Sequence, residues 1–158
     1  MATKSDIGSE LELAARLRLA ITRTARRLRQ TAGSDLGPSQ LAALATIERH
    51  GPLAPSELAE RETIKRPTAT RIVSRLERAG LVARVTDPSD RRSSILTVTG
   101  DGRGLLRRLR ARKTAYLAQQ LADLPADDLT ALARAADVLE RMLEDHPTAE
   151  LRAAGGAW

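Results

Sequence analysis

PSELAERETIKRPTATRIVSRLERAGLVARVTDPSDRRSSILTV, residues 55–98, decides how the rest of the chain is read. Pro55 and Ser56 open a short helical stretch, 55–61, that turns Leu58 and Ala59 inward. A second helix begins near Lys65 or Arg66. Pro67 suits its first turn, where the missing N–H has no intrahelical partner to lose, and Gly80 falls in the position just past the helix end. Two helices joined by so short a turn form a helix-turn-helix. Helical spacing puts Ala69, Ile72, Val73 and Leu76 on the inner face of the second helix and Arg66, Thr70, Arg71, Ser74 and Arg78 on the outer one, with Arg75 between. Leu81 to Val85 and Ile95 to Val98 are rich in β-branched residues and flank a polar loop in which Asp87-Pro88 supplies turn chemistry. That predicts an antiparallel hairpin with Arg91 and Arg92 at its tip, so the whole is a winged helix-turn-helix.

Working outward, residues 9–31 predict one long amphipathic helix. Ser9 and Glu12 have capping-box spacing, apolar or small residues stand at 11, 14, 17, 21, 25 and 28, and Gly33 closes it. Residues 38–50 predict a shorter helix from Pro38 to the Gly51-Pro52 break, with Leu41, Leu44, Ala45 and Ile47 on one face. After Thr99-Gly100-Asp101-Gly102, helices are expected over about 103–122 and 126–144. The last spaces Leu129, Leu132, Ala136, Leu139 and Leu143 as the seam of a helix that lies along another. The long first and last helices need a common partner, and a shared dimerisation bundle meets that need. The expected fold is mainly α with a small β-hairpin wing, organised as an N-terminal dimerisation helix (1–34), a DNA-binding lobe (35–102), C-terminal dimerisation helices (103–146) and a tail (147–158). Trp158 reads as an unpacked end, Tyr116 as helix-interface packing.

Composition narrows the chemistry. The chain has 158 residues, no Cys, two His, and 26 Lys+Arg against 20 Asp+Glu, with 23 of the basic residues Arg. Without Cys there is no disulfide, thiolate zinc site, iron–sulfur cluster or thiol nucleophile. His50 and His146 offer little for metal or triad chemistry. No Gly-rich phosphate loop or Ser/His/Asp set is present, so neither an enzyme, a metal nor a cofactor is expected. The basic surplus points to a polyanionic partner and is uneven: 61–92 and 101–113 are each net +5, whereas 120–150 is net −6. No stretch approaches the length of a membrane span, and Asp6, Glu10 and Glu12 stand where a signal peptide needs an apolar run, so a cytoplasmic protein is expected.

On a winged helix-turn-helix the second helix enters the major groove, where Arg pairs bidentately with guanine and Thr meets a base edge or a thymine methyl. Thr68, Thr70 and Arg71 are the base-reading candidates. Arg66 belongs to the same outer face. Arg75 is expected at a phosphate or in an ion pair, and Ser56 beside a phosphate. Arg91 and Arg92 are expected in or beside a neighbouring minor groove, with Asp90 holding one of these Arg side chains rather than facing DNA.

The runs Ala69 to Glu77, Ala79 to Arg84, Asp87 to Arg92 and Val98 to Gly102 resemble the multiple antibiotic resistance regulator (MarR) family. The likeness is close over about 55–105, where an Asp-Arg-Arg wing precedes a Thr-x-x-Gly helix start. It implies a homodimeric transcription factor on a pseudo-palindromic operator, often a repressor released by a small, commonly phenolic or lipophilic ligand. Thr70 and Arg71 match recognition-helix positions, and Arg92 matches the wing Arg two after the family's Asp, here Asp90. The lack of Cys departs from those members regulated by thiol oxidation. The competing reading is a sequence-tolerant nucleoid-type DNA binder, which the basic 101–113 run would serve by phosphate neutralisation alone; equal loss of operator and bulk DNA with rising salt would distinguish it.

Overall fold

The computed structural model describes residues 4–86 and 94–145. Its elements are α1 (Lys4–Ala32), α2 (Pro38–His50), α3 (Pro55–Arg61), α4 (Arg66–Arg78), β1 (Val82–Thr86), β2 (Ser94–Val98), α5 (Gly100–Ala122) and α6 (Ala126–Asp145). The chain divides into two compact units, 1–115 and 116–158. The mainly helical architecture with one hairpin is the one expected from the sequence.

In the first unit, α2, α3, α4 and the hairpin enclose one core. Leu44, Ile47, Leu58, Val73, Leu76 and Leu96 are its most deeply buried side chains, with Leu106 of α5 completing one side. Burying each such side chain stabilises the fold by roughly 1.5–3 kcal/mol before the entropy of ordering it is subtracted. β1 and β2 pair antiparallel in the register Val82↔Val98 to Thr86↔Ser94. Leu53 adds a single bridge on the other side of β2, its N–H and carbonyl bonding Leu96 at 3.2 and 2.8 Å. The base of the wing is thereby joined to the loop between α2 and α3.

Two boundaries differ from the sequence expectation. α1 is helical from Lys4, the first described residue, so the capping-box spacing of Ser9 and Glu12 lies inside the helix rather than at its start. α5 begins at Gly100 rather than near 103, because the Thr99 hydroxyl accepts the Gly102 N–H at 3.1 Å as an N-cap. The same hydroxyl donates to the Gly80 carbonyl at 2.7 Å. A Cβ on Gly102 would stand 2.3 Å from the Leu81 carbonyl oxygen. The Thr-x-x-Gly pattern thus has a packing reason: Thr99 ties the start of α5 to the end of α4, and Gly102 lets the backbones approach.

At the other helix ends, Gly33 and Gly80 adopt φ of +56° and +70°, the left-handed conformation that closes helices. In the α3–α4 turn the left-handed residue is Thr63, at φ 54°. A β-branched residue there is strained. The turn is held from α2, where the Thr46 hydroxyl donates to the Glu62 carboxylate. Within α2 the fully buried small residue is Ala43, with Ala45 only half-buried.

α1 meets the rest of its unit only near its end. Residues 8–24 are exposed, Ala25 and Leu28 are half-buried, and Ala32 is 2% exposed. In the second unit, α6 leaves Leu129, Leu132, Val138, Met142 and Leu143 exposed. No helix among the described residues is long and apolar enough to cross a membrane.

Candidate nucleic-acid interface

α4 lies against the core through Ala69, Ile72, Val73 and Leu76, which are 6% exposed or less. That fixes its rotation, so Arg66, Thr70, Arg71, Arg75 and Arg78 are exposed and Thr68 and Ser74 half-exposed. The outer face predicted from helical spacing is the one observed, with Arg75 on the solvent side.

These side chains are not equally available to a ligand. Thr70 donates its hydroxyl to the Arg66 carbonyl at 3.1 Å, leaving its methyl and oxygen lone pairs to the exterior. Such a residue suits a thymine methyl better than a base acceptor. Arg78 is folded along its own helix, its Nε donating to the Ser74 carbonyl at 3.2 Å. Among the described residues, no carboxylate comes within ion-pair distance of Arg66, Arg71 or Arg75, so the ion pair considered for Arg75 is not formed there. An unpaired guanidinium is the form that can give its planar fork to guanine or phosphate.

Thr68, Arg71, Ile72 and Arg75 also line a cleft of about 270 Å³ whose other wall is the start of α2, Gly37 to Gln40. Gln40 is held there because its Oε1 accepts the Gly37 N–H at 2.8 Å. Ser39 and Gln40 were not identified from the sequence. The spacing from Gly37 to Gln40 signals a helix start, but nothing in it places that start across from α4.

Ser56 is half-buried. Beside it, the Glu57 carboxylate accepts the Ala54 N–H at 2.7 Å, so a negative group already stands at the opening of the seven-residue α3. That weighs against Ser56 as a phosphate contact.

The hairpin emerges beside the C-terminal half of α4. Arg84 of β1 donates through Nε to Glu77 Oε1 at 3.1 Å and through Nη2 to Oε2 at 3.4 Å, while Nη1 reaches the Ser94 hydroxyl at 3.2 Å. One guanidinium therefore links the recognition helix to both strands of the wing. Sequence reading missed this link because the partners lie on three different elements. Asp90, Arg91 and Arg92 lie outside the described residues. Among the described residues, no group of three or more His, Cys, Asp or Glu side chains is placed to hold a metal ion.

The family model described as MarR family matches residues 36–94. An HTH-type transcriptional regulator of Mycobacterium tuberculosis is 33% identical over 142 residues, 89% of this chain and 99% of that protein. The HTH-type transcriptional repressor MdtR of Bacillus subtilis is 35% identical over 58% of this chain and 59% of its own length. The transcriptional activatory protein BadR of Rhodopseudomonas palustris is 31% identical over 82% and 79%. Among solved structures, a transcriptional regulator from Pseudomonas aeruginosa superposes with a TM-score of 0.78 at 33% identity, covering 89% of this chain and 97% of that one.

Proposed function

The chain belongs to the MarR family of DNA-binding transcriptional regulators, which are not enzymes, and from that premise we propose that it acts as a cytoplasmic homodimeric repressor on an inverted-repeat operator. The observation that carries this reading is the outer face of α4, with Thr70, Arg71 and Arg75 exposed beside a hairpin braced on the same helix.

In this reading Arg71 and Thr70 read base edges in the major groove, assisted by Thr68. Arg66 and Arg75 lie on phosphates, and Ser39 and Gln40 close the Arg71–Arg75 cleft around the same strand. Arg91 and Arg92 extend contact to the neighbouring minor groove, with Asp90 orienting one of them. Homodimerisation is supported by the leucines left exposed on α1 and on α6, apolar stripes of the kind a second copy would cover. Two recognition helices related by a twofold address major grooves about 34–36 Å apart, which calls for a pseudo-palindrome.

Repression by occluding a promoter is the sign implied by the family resemblance and borne by the relative named a repressor. Release follows when a small ligand shifts the dimer toward a lobe separation that does not fit the operator. Selection from a random DNA library with the full-length protein tests the reading. An enriched inverted repeat with half-sites one helical turn apart is expected. Enrichment of nothing beyond general composition would sink it. A reporter driven by the selected site should rise when the gene is deleted; a fall would reverse the sign of regulation.

A further inference from the structure

The attachment of α1 to the DNA-binding lobe is narrow. Residues 8–24 are exposed, and only Ala25, Leu28 and Ala32 pack inward before Gly33 ends the helix. At that point a side chain from far along the sequence meets it. Arg112 of α5 donates through Nη1 to the Ala32 carbonyl at 3.0 Å, with the Gly33 carbonyl 3.5 Å from the same nitrogen. The last carbonyls of a helix have no intrahelical donor and carry the negative end of its dipole, so a guanidinium is well suited to that place.

Two positions earlier, Arg110 makes a two-pronged ion pair with Glu48 in the last turn of α2. Its Nη1 lies 3.4 Å from Oε1 and its Nη2 bonds Oε2 more closely. Residues two apart on a helix do not share a face. One stretch of α5 therefore grips α1 on one side and α2 on the other, over Leu106 and Leu109, which are 5% and 3% exposed. Apolar packing at Leu28 and Ala32 holds the helix end in place but is non-directional. The hydrogen bonds of Arg112 supply direction.

We propose that Arg112, braced by the neighbouring Arg110–Glu48 pair, sets the half-site spacing this protein accepts by fixing the angle at which α1 leaves the DNA-binding lobe. The proposal rests on the homodimeric reading above, in which α1 helps join the two copies. Residues 8–24 extend about 25 Å at 1.5 Å per residue. Across that lever a tilt of 5° moves the far end by about 2 Å, and a tilt of 10° by about 4 Å. The rise of one base pair is about 3.4 Å, so a few degrees at the joint decide the register of the second lobe. Arg112 is a positioning residue here; it touches no DNA.

The test uses the full chain and the selected operator, with one or two base pairs inserted into or removed from the spacer. The wild-type protein should discriminate against a one-base-pair change by about tenfold or more. Arg112→Ala should bring the spacings within about threefold of one another, while affinity for a DNA containing one half-site and the dimer mass in sedimentation stay unchanged. Arg112→Lys, which still presents a cation to the same carbonyls, should restore much of the discrimination. Arg110→Ala, which removes the brace on α2, should weaken discrimination less. A dimeric wild type whose spacing profile is the same in Arg112→Ala overturns this proposal alone. Equal loss of half-site and operator binding in Arg112→Ala also overturns it, since the residue would then merely hold the lobe together. A monomeric wild type overturns the dimer reading and this proposal together.

Discussion

The DNA-binding lobe and the long helices α1 and α6 treat their apolar residues in opposite ways. Leu44, Leu58, Leu76 and Leu96 have no exposed surface, whereas Leu11, Leu132 and Leu143 are 68, 48 and 76% exposed. The patterns that produce these outcomes are alike on paper: apolar residues at helical spacing with Arg and carboxylates between. The lobe's elements are short and joined by tight turns, so they fold back on one another and close a core within one copy. α1 is a single helix of 29 residues, and one helix cannot cover its own stripe. The lobe closes its apolar residues within one chain, whereas the stripes of the long helices stay exposed among the described residues.

The largest expected effect comes from breaking the second half of that contrast. Leu132→Asp puts a charge on the α6 seam. It should leave a folded monomer whose operator affinity is lower by roughly a hundredfold to ten-thousandfold, the avidity of two joined sites. Sedimentation and gel shift on one preparation would measure both, and an intact dimer would refute the assignment of this seam. Next, Leu76→Ala opens a cavity in the lobe and should lower unfolding free energy by about 2–5 kcal/mol in denaturant titrations. The same change at Leu143 should cost less than about 0.5 kcal/mol in a monomer, since that side chain is already in water.

Arg71→Ala sharpens the comparison from the binding side. It should reduce operator affinity by about tenfold to a hundredfold, the worth of a bidentate base contact, with melting temperature unchanged. A uniform loss on all sequences would instead assign Arg71 to the backbone. A further variant is Thr63→Asn in the α3–α4 turn. Asn tolerates the left-handed conformation that Thr63 occupies, so stability should rise by on the order of 1 kcal/mol without change in DNA affinity.

The local grammar of the lobe was legible because its signals are short-range. Pro38, Pro55 and Gly80 mark ends that the structure reproduces, and Ala69, Ile72, Val73 and Leu76 point where their spacing says. The capping-box spacing of Ser9 and Glu12 marked no end, since α1 is already helical at Lys4. What stayed invisible depends on residues distant in sequence. Thr99 meeting Gly80, Arg84 bridging Glu77 and Ser94, and Gln40 facing Arg71 across a cleft each require the finished packing of several elements. The clearest case is Arg112, one of 26 basic residues and unremarked in the run 101–113, whose partner is 80 positions away.

By itself the sequence determined the elements, the face α4 turns outward and the chemistry that is absent, since helical periodicity, turn residues and a missing Cys are properties of neighbours along the chain. Only the tertiary structure decided which arginines are left without an internal partner. Among the described residues, Arg71 and Arg75 stand exposed without a carboxylate, while Arg78, Arg84, Arg110 and Arg112 bond internal partners. The reason is geometric. A guanidinium's role is set by whichever acceptor lies within hydrogen-bond reach, and that depends on where the folded chain brings distant residues together.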